Sequence, residues 1–202
     1  MIAILDYGSG NLRSAQRAFE ATGADVVVTS DRKVALEAQG LVVPGVGAFQ
    51  SCMSGLVAIG GDEIIRERAD KQRPTLGICI GMQIFFSEGL EPSLKNSAST
   101  PGVGIWNGSI AKLNAPVLPH MGWNTVVAPA DSVLFAGVEG ESFYFVHSYA
   151  AKKAVGRKVS WSEYGEPFVS AVEDGAMSAT QFHPEKSGSA GLRLIKNWTT
   201  TL

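Results

Sequence analysis

The sequence predicts an α/β protein: a central, mostly parallel sheet flanked by helices, with an added antiparallel portion. Three observations carry that expectation. In the first half, short β-branched runs alternate with segments of helical periodicity. In the second half, Gly and Pro punctuate shorter strand-like runs. The 202 residues are 45% hydrophobic, enough to bury one sizeable core, so a single domain over 1–202 is expected.

The elements follow in order. "IAILDY" reads as a buried first strand. In "NLRSAQRAFEAT", Leu12, Ala15, Phe19 and Thr22 share one helical face, with Asn11 as N-cap and Gly23 as stop. "DVVVTS" and "GLVVPG" are the next strands, "CMSGLVAI" and "DEIIRERADK" are helical, and "TLGICI" is a fourth strand. "GMQIFFSE" then looks helical again. Strands separated by helices imply right-handed crossovers and parallel pairing. "EGLEPSLKNSASTPG" is polar and breaker-rich, hence a surface loop. After it, "GIWNGSIAKL", "NTVVAP", "SFYFVHSYA", "KVSWSE", "FVSAVED" and "MSATQFH" read as strands continuing the sheet. "AGLRLIKNW" closes the chain as a helix.

Several classes of function are disfavoured. A formal charge of −2 argues against non-specific nucleic-acid binding. The densest basic run, "AKKAVGRK", is explained better by a solvated strand edge than by a phosphate patch. Cys52 and Cys79 are too few, and wrongly spaced, for a disulfide framework or a zinc site, so no metal is expected. "DYGSGNLR" places Arg13 where a dinucleotide fingerprint needs its third glycine, and no cofactor is expected. The opening lacks a basic, signal-like start, and no apolar stretch reaches the roughly 18 residues of a membrane span. A reducing cytoplasm is the expected setting.

Cys79 stands at the junction of "PTLGI" and "GMQ", with Gly77 and Gly81 at minus two and plus two. A buried structural cysteine fits this composition. So does a nucleophile elbow, whose strained turn needs neighbours without a Cβ and places the following N–H, of Ile80, beside a developing oxyanion. Of the three histidines, His120, His147 and His183, the last is followed by Pro184 and Glu185. Alternate residues of an extended segment point the same way, so Glu185 can orient His183 toward a thiol. Cys79, His183 and Glu185 then form a candidate triad.

Taken together, "GICIGMQ" and "FHPEKS" resemble the class I (triad) glutamine amidotransferases. "DYGSGN", "PGVGAF", "PHMGWN" and "HSY" make the chain similar, within them, to the glutaminase subunits of imidazole glycerol phosphate synthase. The resemblance implies a flavodoxin-like fold and hydrolysis of L-glutamine to glutamate and ammonia through a Cys79 thioester. It implies an oxyanion hole at Gly45, Val46 and Ile80, with glutamine held by Gly47, Gln83, Ser148 and Tyr149. It also implies a heterodimer with a cyclase subunit, met by Asn11, Met121, Trp123, Asn124 and Lys186. Ile80 stands where leucine is common, "SLKNSASTPG" is longer than usual and "KSGSAG" shorter. Other readings are a glutaminase subunit of an anthranilate or pyridoxal phosphate synthase, a cysteine peptidase or thiol protein of similar fold, and a scaffold with a dead site.

Overall fold

The computed structural model describes residues 1–92 and 99–202; part of the expected surface loop, 93–98, lies outside the described residues. The first half follows the alternation: β1 (Ile2–Leu5), α1 (Leu12–Glu20), β2 (Val26–Thr29), α2 (Arg32–Glu37), β3 (Gly40–Gly45), α3 (Phe49–Ala58), α4 (Gly61–Asp70) and β4 (Thr75–Cys79). Asn11 caps α1 as expected, accepting from the Ser14 N–H. The short α2 escaped the sequence reading, although Asp31 signals it by capping the Val34 N–H at 2.9 Å.

The second half is more divided than expected. A single helical turn, α5 (Ile80–Gln83), is followed by β5 (Phe86–Gly89), β6 (Thr100–Pro101), β7 (Trp106–Lys112), β8 (His120–Thr125), β9 (Ser142–His147) and β10 (Tyr149–Ala151). Then come β11 (Lys158–Glu163), β12 (Pro167–Asp174), β13 (Met177–Thr180), a 3-10 turn (Pro184–Lys186) and α6 (Gly188–Thr199).

The main sheet runs β11-β12-β13-β4-β3-β1-β2. Its part from β13 to β2 is parallel, and β12 and β11 extend it antiparallel. Central β3 and β4 are buried at every residue, while edge strand β2 is only half-buried. This is a doubly wound sheet, and ligands gather outside the carboxyl ends of its parallel strands. Cys79 lies at such an end.

Three expectations need correction. "GMQIFFSE" is one helical turn and then a strand, because Ile84, Phe85 and Phe86 are all buried and leave no polar helical face. Phe85 and Phe86 instead pack edge-on against Trp106, with centroids 5.8 and 5.5 Å apart. The strand placed at "NTVVAP" starts earlier, at His120, and pairs with β9; beyond it only Val127 bridges, to Trp161. The later strands do not all continue one sheet. β10-β7-β5-β6 form a second sheet and β8-β9 a separate ribbon, so "SFYFVHSYA" breaks at Ser148 between two sheets.

The basic run is not the strand edge expected: residues 152–157 form the connection from β10 to β11, and three of its four cations meet carboxylates. Lys152 reaches Glu166 at 2.5 Å, Arg157 reaches Asp174 at 3.5 Å and Lys158 reaches Asp131 at 3.1 Å. Among the described residues, no helix is long and apolar enough to cross a membrane.

One buried cation ties the helical layer to the sheet. Arg68 is fully buried on α4. It donates to the carbonyls of Ala35, Leu36, Ala38, Gln39 and Pro74, and to the Thr75 hydroxyl. Burial lowers its pKa to about 10, so it stays charged at neutral pH. Arg68→Met takes this donor from the Ala35, Leu36 and Gln39 carbonyls, while Ala38 keeps Arg73 and Pro74 keeps the Leu41 N–H, and is expected to destabilise the fold by about 3 kcal/mol. The urea midpoint at unchanged m-value measures this, and a shift under about 1 kcal/mol would mean that water replaces the guanidinium.

Candidate active site

Cys79 ends β4 with φ 57° and ψ −111°, a conformation that L-residues rarely adopt. Its neighbours explain how the strain is held. A Cβ on Gly81 would lie 1.8 Å from the Val43 carbonyl oxygen, and one on Gly77 would lie 2.6 Å from the Gly81 carbonyl oxygen. The glycines at minus two and plus two are thus required by close backbone packing. Imposed strain of this kind, of order 1–3 kcal/mol, clusters at reactive sites. The Cys79 sulfur sits 4.0 Å from the Val146 carbonyl oxygen and 3.9 Å from Gln181 Nε2.

His183 reaches the site from the segment that follows β13, the strand paired with β4. Its N–H donates to the Tyr144 carbonyl at 2.9 Å, and its carbonyl accepts from the Ser187 hydroxyl at 2.6 Å. The same hydroxyl accepts from the Tyr144 N–H at 3.0 Å, so both strands converge on one side chain. His183 Nδ1 and Glu185 Oε1 are 2.7 Å apart, and both side chains are almost fully buried. Glu185 arrives from the 3-10 turn started by Pro184, not along the extended segment that the sequence suggested. Burial is the largest single influence on His183 and disfavours its charge. Hydrogen bonding and charge from Cys79 and Glu185 together outweigh burial and raise its pKa to about 10. An imidazole held this way can accept a thiol proton and keep it until a leaving group needs it.

A cavity of about 330 Å³ gathers the expected residues Val46, Gly47, Cys79, Ile80, Gln83, Ser148, Tyr149 and His183. Gly45 lies behind it, and Glu185 supports His183 from outside the lining. A Cβ on Gly45 would meet the Gly81 nitrogen at 2.7 Å, so the loop after β3 is pressed onto the elbow. The expected partner-face residues stand apart from the cavity. Asn11, Met121, Trp123 and Lys186 are exposed, whereas the Asn124 amide turns inward to His120 and to the Glu163 carbonyl.

The Val46 N–H donates to Ser9 Oγ at 3.1 Å. The Val46 carbonyl accepts from Ser9 Oγ at 2.9 Å and from the Cys52 thiol at 3.3 Å. Burial pushes the Cys52 thiol up, so this second cysteine is a structural hydrogen-bonding group. Sequence reasoning missed Ser9 and Cys52 in this role, for nothing in their spacing links them to Val46. It also missed Gln181 and Glu91. Gln181 carries a faint signal, two residues before His183 on the same segment. Glu91 lines the cavity, where its carboxylate also accepts from the Phe49 N–H at 2.9 Å.

A α/β sheet with a cysteine elbow facing an imidazole and carboxylate is the architecture of a thiol-dependent amide hydrolase, and comparison supplies the family. The description glutamine amidotransferase class-I matches residues 3–201, so the chain belongs to the class I glutamine amidotransferase family. Relatives are more specific still. The chain is 56% identical to imidazole glycerol phosphate synthase subunit HisH of Mycolicibacterium paratuberculosis, covering 100% of this chain and 98% of that one. It is 54% identical to the subunit of the same name from Thermobifida fusca, with the same coverage. Among solved structures it is similar to a glutamine amidotransferase at TM-score 0.76 and 16% identity, covering 98% and 97% of the two chains. It is also similar to PurLQS from Thermotoga maritima at TM-score 0.66 and 18% identity, covering 99% and 97%.

Two buried histidines beside the cavity set an acid limit. His120 and His147 contact each other at 3.0 Å, and burial holds them neutral, with pKa lowered to about 4 and about 3. The unfolded chain takes up these protons near pH 6.5, so between about 6.5 and 4 it binds more protons than the folded one. Stability is therefore expected to fall as the pH drops through that window. Urea midpoints against pH check this, and His120→Phe should flatten the slope there.

Proposed function

We propose that this chain is the glutaminase subunit of an imidazole glycerol phosphate synthase. The observation that carries the reading is the placement of Cys79, His183 and Glu185 around one cavity, in a chain matching subunits of that name along its whole length. Cys79 Sγ attacks the carboxamide carbon of glutamine, forming a C–S bond and an oxyanion. His183 holds the thiol proton and delivers it to the amide nitrogen as the C–N bond breaks. Ammonia leaves, water adds to the thioester, the C–S bond breaks and glutamate departs. Glu185 keeps the imidazole aimed throughout.

Gln83, Gly47 and the Ser148–Tyr149 backbone hold the glutamine, and the Glu91 carboxylate is placed to take its ammonium. Ile80 N–H is one oxyanion donor; the second comes from the loop at Gly45 and Val46. The Val46 N–H is engaged by Ser9 in this conformation. An oxyanion donor is typically worth about 3 to 4 kcal/mol of barrier, so releasing it is a means of control.

The ammonia passes to a cyclase subunit, which makes imidazole glycerol phosphate and aminoimidazole carboxamide ribotide. This chain meets it in the cytoplasm as a heterodimer. The proposed face carries Met121 and Trp123, 62% and 59% exposed, with Asn11, Asn124 and Lys186 around them.

A glutamine-like electrophile is expected to label Cys79 and spare Cys52, as peptide mass spectrometry can check; labelling confined to Cys52 overturns the site. Mixed with candidate cyclases and their ligands, the chain should release glutamate far faster than alone. Cys79→Ala should lose glutamine-dependent synthesis while the complex keeps synthesis from added ammonia. Full glutamine-dependent turnover by Cys79→Ala would reject the thioester route.

A further inference from the structure

The strand β8 has two unlike faces. Met121 and Trp123 point outward, while His120 and Asn124 turn toward the interior. His120 is directly opposite His147 in the β8-β9 register, and its ring is sandwiched between Phe145 and Tyr164 at centroid distances of 4.9 and 4.1 Å.

From these residues a continuous line of polar contacts runs to the reactive sulfur. Asn124 Nδ2 is 3.3 Å from His120 Nε2, and His120 Nδ1 is 3.0 Å from His147 Nε2. His147 Nδ1 is 3.0 Å from the Tyr149 carbonyl oxygen, which also accepts from Gln83 Nε2 at 2.8 Å. Gln83 Nε2 contacts Gln181 Oε1 at 3.0 Å, and Gln181 Nε2 lies 3.9 Å from Cys79 Sγ.

The directions of these bonds are forced. A carbonyl oxygen only accepts, so His147 Nδ1 carries the hydrogen and its Nε2 accepts. His120 Nδ1 therefore donates, and His120 Nε2 accepts from the Asn124 amide. Each ring nitrogen is used once and both rings are neutral, in keeping with their burial. The bond from His147 across Ser148 to Tyr149 is also what shapes the break between β9 and β10. That break puts Ser148 and Tyr149 on the cavity wall.

We propose that His120 is a positioning residue: through His147 it sets the Ser148–Tyr149 backbone against glutamine, and it couples that backbone to the β8 face bearing Met121 and Trp123. The proposal rests on the glutaminase reading. A partner seated on that face braces β8 from outside, and His120 is the inward-facing residue of β8 bonded across the ribbon to the cavity wall. His120 itself does not line the cavity.

His120→Phe keeps a ring for the stack and removes both nitrogens. In the complex with a liganded cyclase, KM for glutamine is expected to rise about 10-fold with a smaller change in kcat. The stimulation of glutamate release by the partner should fall by a similar factor of about 10. Affinity for the cyclase and ammonia-dependent synthesis should stay as in the wild type. His120→Asn, whose amide can donate where Nδ1–H did, should recover much of the loss. An unchanged KM and stimulation in a folded His120→Phe complex overturns the proposal. So does an equal defect in His120→Asn, which would make the role one of packing. If His120→Phe does not fold, Asn124→Leu removes the outer end of the line, and wild-type stimulation in that variant overturns the proposal. Absence of glutamate release by the wild-type complex would overturn the glutaminase reading itself, and this proposal with it.

Discussion

The whole site depends on one contact, that of the Gly81 α-carbon with the Val43 carbonyl. No side chain fits there, since a Cβ would stand 1.8 Å from the oxygen. The approach lets α5 turn sharply out of β4, which fixes Cys79 at φ 57° with its sulfur over the end of the sheet. It also brings the end of β3 against the elbow, so Cys79 and the proposed oxyanion loop share one wall. A cysteine held in a strained backbone by close packing on both sides has little freedom to relax away from its substrate.

Around that fixed point the imidazole is held by a backbone bond, His183 N–H to the Tyr144 carbonyl, and by one buried hydroxyl. Ser187 joins His183 to Tyr144, and the Pro184 turn returns Glu185 to the imidazole. The Val46 backbone is held by side chains alone, the Ser9 hydroxyl and the Cys52 thiol. In the proposed mechanism, the site thus combines a firmly held nucleophile and base with a second oxyanion donor that must leave Ser9 to act. Such a division suits an enzyme whose product must not be made until another protein can use it.

Much of the fold and candidate site was legible in the sequence, for identifiable reasons. The parallel half showed itself because its buried strands are β-branched and its first helix opens on an Asn11 cap. The elbow was legible because close packing restricts two positions to glycine. His183 and Glu185 could be paired because only Pro184 separates them in the chain, although the turn that joins them could not be anticipated. The second sheet and the ribbon were not legible. Phe85 and Phe86 read as helix from local pattern, and their strand exists because Trp106, distant in sequence, packs against them. The grip of Ser9 on Val46 is likewise tertiary, joining residues 37 positions apart only through folding.

The break at Ser148 has a mechanical consequence. β9 belongs to the ribbon and β10 to the second sheet, while Cys79 belongs to the main sheet. The cavity proposed to hold glutamine is therefore walled by three separately hydrogen-bonded bodies. A small rotation of one against another changes the pocket's width without breaking any strand ladder. Like a chuck whose jaws sit on different slides, the site can grip or release its substrate while each jaw stays rigid.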